Sequence, residues 1–175
     1  MRRATVSVGL VALAVVAACE SKVDGTPTSS APQHAAFNPC TDLSDEAVRA
    51  ASADPASKAV VTDAGPQAST KACGWRSTDG PHSLGIGSLN QSLSDVPKNT
   101  KLVNVRETTV GPRQALMYND DFDEKSDKNS CWVGFDYSGG LIEINIDWDY
   151  LVPKTADPCD LALDRAKKLE PYLPR

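Results

Sequence analysis

The chain has 175 residues, 41% of them hydrophobic, and its 18 Lys and Arg face 23 Asp and Glu for a net charge of −5. An acidic balance of this kind argues against nucleic acid as a partner and against adhesion to anionic lipid headgroups. With two histidines and no CxxC pair, zinc-ribbon and thioredoxin-like chemistries find no support either.

Residues 1–18 read as an export signal. Arg2 and Arg3 form a positive n-region, Val6 to Val16 an apolar h-region, and the small Ala17 and Ala18 precede Cys19. The apolar run is about fifteen residues, short of the ~18 that read as a membrane-spanning helix. Val16-Ala17-Ala18-Cys19 resembles a bacterial lipobox, in which the cysteine receives a diacylglycerol and becomes the first residue of the mature chain. Five cysteines leave one without an intrachain partner, and lipidation of Cys19 accounts for it. Residues 19–36 then form a lipidated cysteine and a tether rich in Ser, Thr, Pro, Ala and Gly, too poor in apolar periodicity to fold. His34 within it is a solvated bystander.

Residues 37–175 suffice for a single domain with a core of its own. Loss of the leader removes two arginines, so sixteen Lys and Arg would face twenty-three Asp and Glu, a net −7. Cys40, Cys73, Cys131 and Cys159 are an even set in an oxidising compartment, which predicts two disulfides. Three connectivities are open; Cys40–Cys73 with Cys131–Cys159 is preferred, each tying a helix start to a strand.

In "NPCTDLSDEAVRAASADP" Ser44 is a good N-cap, Asp45 and Glu46 suit the positive first turn, Leu43 can staple Val48, and Asp54-Pro55 is the expected stop. Strands follow at "KACGWRS", "HSLGIGSL", "KLVNVRETTV" and "RQALMYND", with Gly111-Pro112 bending or interrupting the last two. The clearest pattern is "CWVGFDYSGGLIEINIDWDY": Cys131, Val133, Phe135 and Tyr137, then Ile142, Ile144, Ile146, Trp148 and Tyr150, alternate with polar residues. Taking Gly139-Gly140 as a two-residue turn places Tyr137 opposite Ile142, Phe135 opposite Ile144 and Val133 opposite Ile146. A C-terminal helix begins at the Asp157 cap with Pro158 in its first turn and presents Cys159, Ala162, Leu163, Ala166 and Leu169 on one face. The expected architecture is α+β: an antiparallel sheet of five to six strands, with an N-terminal and a C-terminal helix packed on one face and two disulfides.

Chemistry is sparse. G-x-S-x-G, S-x-x-K and H-E-x-x-H are all missing, and His82 lies in the polar turn "DGPHS", where a surface role is the expectation. No enzymatic activity and no cofactor are expected. The acidic loop 119–127 offers Asp121, Asp123 and Asp127 as oxygen ligands. Lys125 replaces a ligand, however, the turn glycine is missing and Trp132 stands where a final Glu belongs, so it reads as a solvated loop rather than a calcium site. On the wet face of the hairpin the expected register sets Asp136 across from Glu143 and Trp132 across from Asp147. Like charges directly opposed are unfavourable. Either Arg106 or Arg113 from a neighbouring strand compensates, or a cationic partner or ligand is held by Asp136, Glu143, Asp147 and Asp149 beside an exposed Trp132.

"FNPC" with "LSDEAVRAA", then "CGW", "GPRQALMY", "CWV" and "DPCDLALDRA" together resemble an actinobacterial family of secreted lipoproteins, domain-of-unknown-function family 3558. The resemblance spans nearly the whole domain. It implies an envelope lipoprotein with paired cysteines and no assigned activity; it supplies no catalytic residues, and Trp75 and Gly111-Pro112-Arg113 read as framework. The functional expectation is a membrane-anchored, non-catalytic domain that binds a small ligand or an envelope protein partner. The alternative is a cell-envelope hydrolase using paired carboxylates.

Overall fold

The computed structural model describes residues 37–61, 70–124 and 128–175, the side chains of residues 123 and 124 excepted. The leader, Cys19, the tether with His34, and Lys125 and Asp127 of the acidic loop lie outside the described residues, as does the side chain of Asp123.

Seven strands form one antiparallel sheet: β1 (Ala59–Val61), β2 (Thr70–Arg76), β3 (His82–Leu89), β4 (Leu102–Val110), β5 (Arg113–Asp120), β6 (Ser130–Tyr137) and β7 (Gly140–Trp148). Their spatial order is β1-β2-β3-β7-β6-β5-β4. The six strands expected from alternation are all present. The seventh, β1, is three exposed residues, so no buried face marks it in the sequence.

The expected N-terminal helix is replaced by two short segments, α1 (Pro39–Asp42) and α2 (Asp45–Ala50). Ser44 caps α2 as expected, its side chain accepting from the Ala47 amide. The helix stops before Asp54-Pro55 because Ser52 turns left-handed at φ 55°. The amides of Ser52 and Ala53 fold back on the carbonyls of Arg49 and Val48, the two bonds of a Schellman motif. A third short helix, α3 (Asp121–Glu124), opens the acidic loop.

The longest helix, α4 (Pro158–Leu169), is capped by Asp157, whose carboxylate accepts from the Cys159 amide at 2.7 Å. It buries Cys159, Ala162, Ala166 and Leu169 against the central strands. The facing sheet surface is made of Cys73, Trp75, Leu84, Ile86, Val133, Phe135, Ile142, Ile144 and Ile146, all buried. Two disulfides pin this layer: Cys40–Cys73 joins α1 to β2, and Cys131–Cys159 joins β6 to α4. In chain-entropy terms each loop closure contributes about 3.5 kcal/mol. Arg113 also ties the fold together: it lies over the Phe135 ring, pairs with Glu170 at 3.3 Å and donates to the carbonyls of Pro174 and Leu173.

The hairpin register differs from expectation by two residues. The turn is Ser138-Gly139, so Tyr137 pairs with Gly140, Phe135 with Ile142 and Val133 with Ile144. A two-residue slip keeps every side chain on its predicted face and changes its neighbour. The cause lies in β3. Gly140 has φ 138°, and a Cβ there would sit 2.2 Å from the Leu89 carbonyl oxygen, so this glycine is consumed by the close approach to β3 rather than by the turn.

One buried charge bridges the layers. Arg165 on α4 is 2% exposed and bonds Asp79 in the β2–β3 turn at 2.5 Å, with Asp164 as its second carboxylate. Asp79→Ala is expected to cost about 1–3 kcal/mol in urea unfolding at pH 7, since it strands a buried donor. Arg165→Met, which removes the guanidinium together with its desolvation cost, is expected to lose less.

Candidate functional site

The face of the sheet opposite the helices carries an unusual row of residues. Register places Gly74 beside Gly85, Gly85 beside Asn145, and Asn145 beside Trp132; one step along the strands, Gly87, Glu143 and Gly134 stand side by side. Gly74, Gly85 and Gly87 are half-exposed and give this half of the face a floor of bare backbone. Glycine is depleted from strands because it has nothing to pack, and it persists where something must approach the backbone closely.

Over Gly134 the approaching group is visible. Tyr118, 1% exposed on β5, reaches across β6 and donates its hydroxyl to Glu143 Oε1 at 2.5 Å. A Cβ at position 134 would meet that hydroxyl at 2.9 Å. Burial pushes the Glu143 carboxyl above its ordinary value, an effect the Tyr118 hydrogen bond only partly offsets. The Tyr118 phenol is pushed up in turn by burial, then by the charge of Glu143 and the bond to it. Next to the pair, Asn145 Nδ2 lies 3.4 Å from the Cys131 carbonyl and 3.2 Å from that of Ile146.

One end of this face is covered. A 3-10 segment, Leu93–Lys98, drops Val96 onto Tyr118 and Leu141 to make a small second core. Asp136 holds the segment, accepting from the Leu93 amide at 2.7 Å.

At the other end a cleft of about 420 Å³ opens. Arg76, Ser83 and Asp147 reach it from the glycine face, and Asp149 and Tyr150 from the chain beyond β7. Its inner wall is His82 stacked on Trp148, ring centroids 5.4 Å apart and planes 15° from parallel. The His82 side chain is 2% exposed, and among the described residues neither ring nitrogen has a hydrogen-bond partner, although Asp79 Oδ1 lies 3.5 Å from Nε2. Burial depresses its pKa below the ordinary 6.5; the Asp79 charge opposes that shift and Arg165 adds to it.

A family model described as a protein of unknown function (DUF3558) matches residues 14–172. The chain belongs to the DUF3558 family. No curated protein and no solved structure matches it.

In this DUF3558 protein the five residues expected to form one acidic face are divided. Trp132 and Glu143 share the centre of the glycine face, one step apart in register. Asp147 and Asp149 line the cleft, and Asp136 serves the covering segment. The expected opposition of Asp136 and Glu143 does not occur: Asp136 faces Leu141 and Glu143 faces Gly134. Nor does Trp132 face Asp147, whose β6 neighbour is Ser130. Arg113 is engaged with Glu170 and the C-terminal carbonyls, and Arg106 contacts the Met117 sulfur. The group that answers Glu143 is Tyr118, which sequence reasoning passed over. His82, expected at the surface, is buried. The signal for the floor was present in "HSLGIGSL", where Gly85 and Gly87 fall on one parity of a strand.

Glu143→Gln keeps an acceptor for Tyr118 and removes the charge. Because the folded pKa of Glu143 lies above its ordinary 4.5, the native state holds the proton longer than the unfolded state. Wild-type stability therefore falls as pH rises from the unfolded value through the folded one. Thermal unfolding should show E143Q more stable than wild type at pH 8, with the difference vanishing near pH 4; a pH-independent difference would contradict the raised pKa.

Proposed function

We propose that this protein is a lipid-anchored lipoprotein of an actinobacterial cell envelope, and that its domain binds a small ligand in the cleft beside His82 without transforming it. The observation that carries the binding is the cleft of about 420 Å³ itself, walled by the stacked His82 and Trp148 rings and edged by charged side chains. Trp148 and Tyr150 offer ring surface, while Asp147, Asp149 and Arg76 offer polar contacts that orient a bound molecule.

The envelope assignment is supported by the lipobox-like run ending in Cys19 and by two disulfides suited to an oxidising compartment. The described chain starts at Phe37, whose ring lies 6.3 Å from that of Tyr137 at the Ser138-Gly139 end of the sheet. The cleft is at the opposite end of the sheet from Phe37.

A second reading, a hydrolase using paired carboxylates, is favoured by one observation: Asp147 and Asp149 line the same cleft. Against it, both side chains belong to exposed residues and Asp149 Oδ1 is taken by the Leu151 amide at 2.9 Å. Glu143, the carboxyl with raised pKa, is four residues from Asp147 along one strand, about 14 Å, beyond the ~5–10 Å that glycosidase pairs span.

Two measurements test the proposal. Wild-type protein should sediment with membranes and incorporate labelled fatty acid, and Cys19→Ser should do neither. Native mass spectrometry of protein extracted from its own membranes should show a reproducible extra mass that Tyr150→Ala and Asp147→Asn each diminish. Release of soluble fragments from isolated cell-wall material, abolished in D147N, would overturn binding in favour of hydrolysis.

A further inference from the structure

The chain leaving β7 is firmly held for a loop that displays an aromatic ring. Residues 149–152 form a turn closed by the Val152 amide on the Asp149 carbonyl at 3.0 Å, and the Asp149 side chain accepts from the Leu151 amide at 2.9 Å. Both ends of the turn are tied down. The Asp149 amide bonds the Pro81 carbonyl at 2.9 Å, and the Trp148 indole donates to the Val152 carbonyl at 3.0 Å. Trp148 is itself 3% exposed and stacked on His82, so the turn is anchored in the core. Tyr150 stands on this turn at 80% exposure and lines the cleft.

An exposed ring on a fixed backbone is a pre-ordered contact surface. Tyrosine has two side-chain rotors, so a molecule that lies on it orders little else, and pre-ordering of this kind raises affinity. The face of the ring is the negative side of its quadrupole and attracts the polarised C–H groups of a flat or puckered ring laid upon it.

The polar groups of the cleft limit what such a ring can be. Arg76 and Asp149 both line it, and neither makes an ion pair among the described residues; Ser83 adds a hydroxyl. A ligand of one charge gains from one of the two ions and loses to the other. A zwitterion matches both signs but must shed the hydration of two charged groups at an open rim. A neutral polyhydroxylated ring gains from both at lower cost: its hydroxyls donate to the carboxylate and accept from the guanidinium, each a charge-assisted bond. The cleft volume of about 420 Å³ suits a ligand of that size.

We propose that the ligand of the His82 cleft is a neutral carbohydrate, with one sugar ring stacked on Tyr150 and its hydroxyls shared between Arg76 and Asp149. This rests on the reading of the cleft as a binding site and names the class of molecule it takes.

The test uses the lipidated protein in a polyoxyethylene detergent, which carries no sugar, with maltotriose, mannotriose and chitotriose as probes in saturation-transfer NMR and calorimetry. At least one should bind saturably and with equal affinity at low and high salt. Tyr150→Ala should weaken that binding about tenfold or more, whereas Tyr150→Phe, which keeps the ring, should stay within about twofold of wild type. Arg76→Gln should weaken it about tenfold. Tyr172→Ala, which removes a part-exposed ring at the other end of the sheet, should change nothing. Absence of binding to all three probes, or wild-type affinity in Y150A, would overturn the carbohydrate. Native mass spectrometry separates the two failures: a Y150A-sensitive extra mass that contains no sugar overturns the carbohydrate and leaves the cleft a binding site, whereas absence of both the extra mass and probe binding overturns the cleft reading as well.

Discussion

The position of β7 between β3 and β6 is the constraint from which the rest of the molecule follows. Ile142, Ile144 and Ile146 are fully buried on the helix side, and strict alternation then assigns Leu141, Glu143, Asn145 and Asp147 to the other. A slip of one residue would bury Glu143 and Asn145 under α4 and is forbidden by the cost of unpaired polar groups in the core. A slip of two is forbidden by a finer contact, the close approach of Gly140 to the Leu89 carbonyl. With both slips excluded, Glu143 has glycine on either side and Trp148 lies beside His82. The candidate site is thus a by-product of core packing on the far side of the same strand.

Three partly or fully buried polar groups show how differently the fold treats charge. Arg165 is enclosed but holds two carboxylates and ties α4 to the β2–β3 turn. Its role is structural and its charge is paired, although Nε has no hydrogen-bond partner among the described residues. Glu143 is hydrogen-bonded by Tyr118 but has no ion-pair partner among the described residues, and its raised pKa records the unrelieved desolvation. His82 has no hydrogen bond at either nitrogen among the described residues, with Asp79 3.5 Å away, and its depressed pKa has the same origin. The latter two groups are held at a cost to the native state, as groups kept for recognition commonly are. Their pH dependences have opposite sign. Glu143 disfavours the native state as pH rises above the ordinary carboxyl range, and His82 disfavours it as pH falls below the ordinary imidazole range.

Much of the fold was legible because alternation is local. Strands β2 to β7 lie where period-two patterns placed them, and the two cysteine pairs join the helix starts and strands expected of them. What failed depended on contacts distant in sequence or on single backbone angles. The left-handed Ser52 that cuts α2 short carries no strong residue signal, since serine adopts that conformation only under tertiary constraint. Gly139-Gly140 resembles a hairpin turn, and nothing local reveals that the second glycine is required by β3. Trp132 and Glu143 were correctly placed on one face by parity. Tyr118 was not connected to them, because its reach to Glu143 crosses an entire strand and exists only because residue 134 has no side chain. His82 was misjudged for a related reason: its turn is polar, and the aromatic ring that buries it arrives from the end of β7.

Antiparallel pairing also gives the sheet two unlike ends. At one, Phe37, Tyr137, Ser138 and the C-terminal residues converge, and the Ser138 amide bonds the Arg175 carbonyl at 3.1 Å while Arg113 clamps Pro174. That end is fastened by backbone and guanidinium contacts and is where a tether would join. At the other end, the β2–β3 turn and the chain beyond β7 leave the His82 cleft open. Its rim carries Asp147 and Asp149 together with Arg76. On the proposed reading, the net negative charge keeps the domain from adhering to the anionic membrane that anchors it, so attachment rests on the lipid alone and the polar rim of the cleft is left to select the ligand.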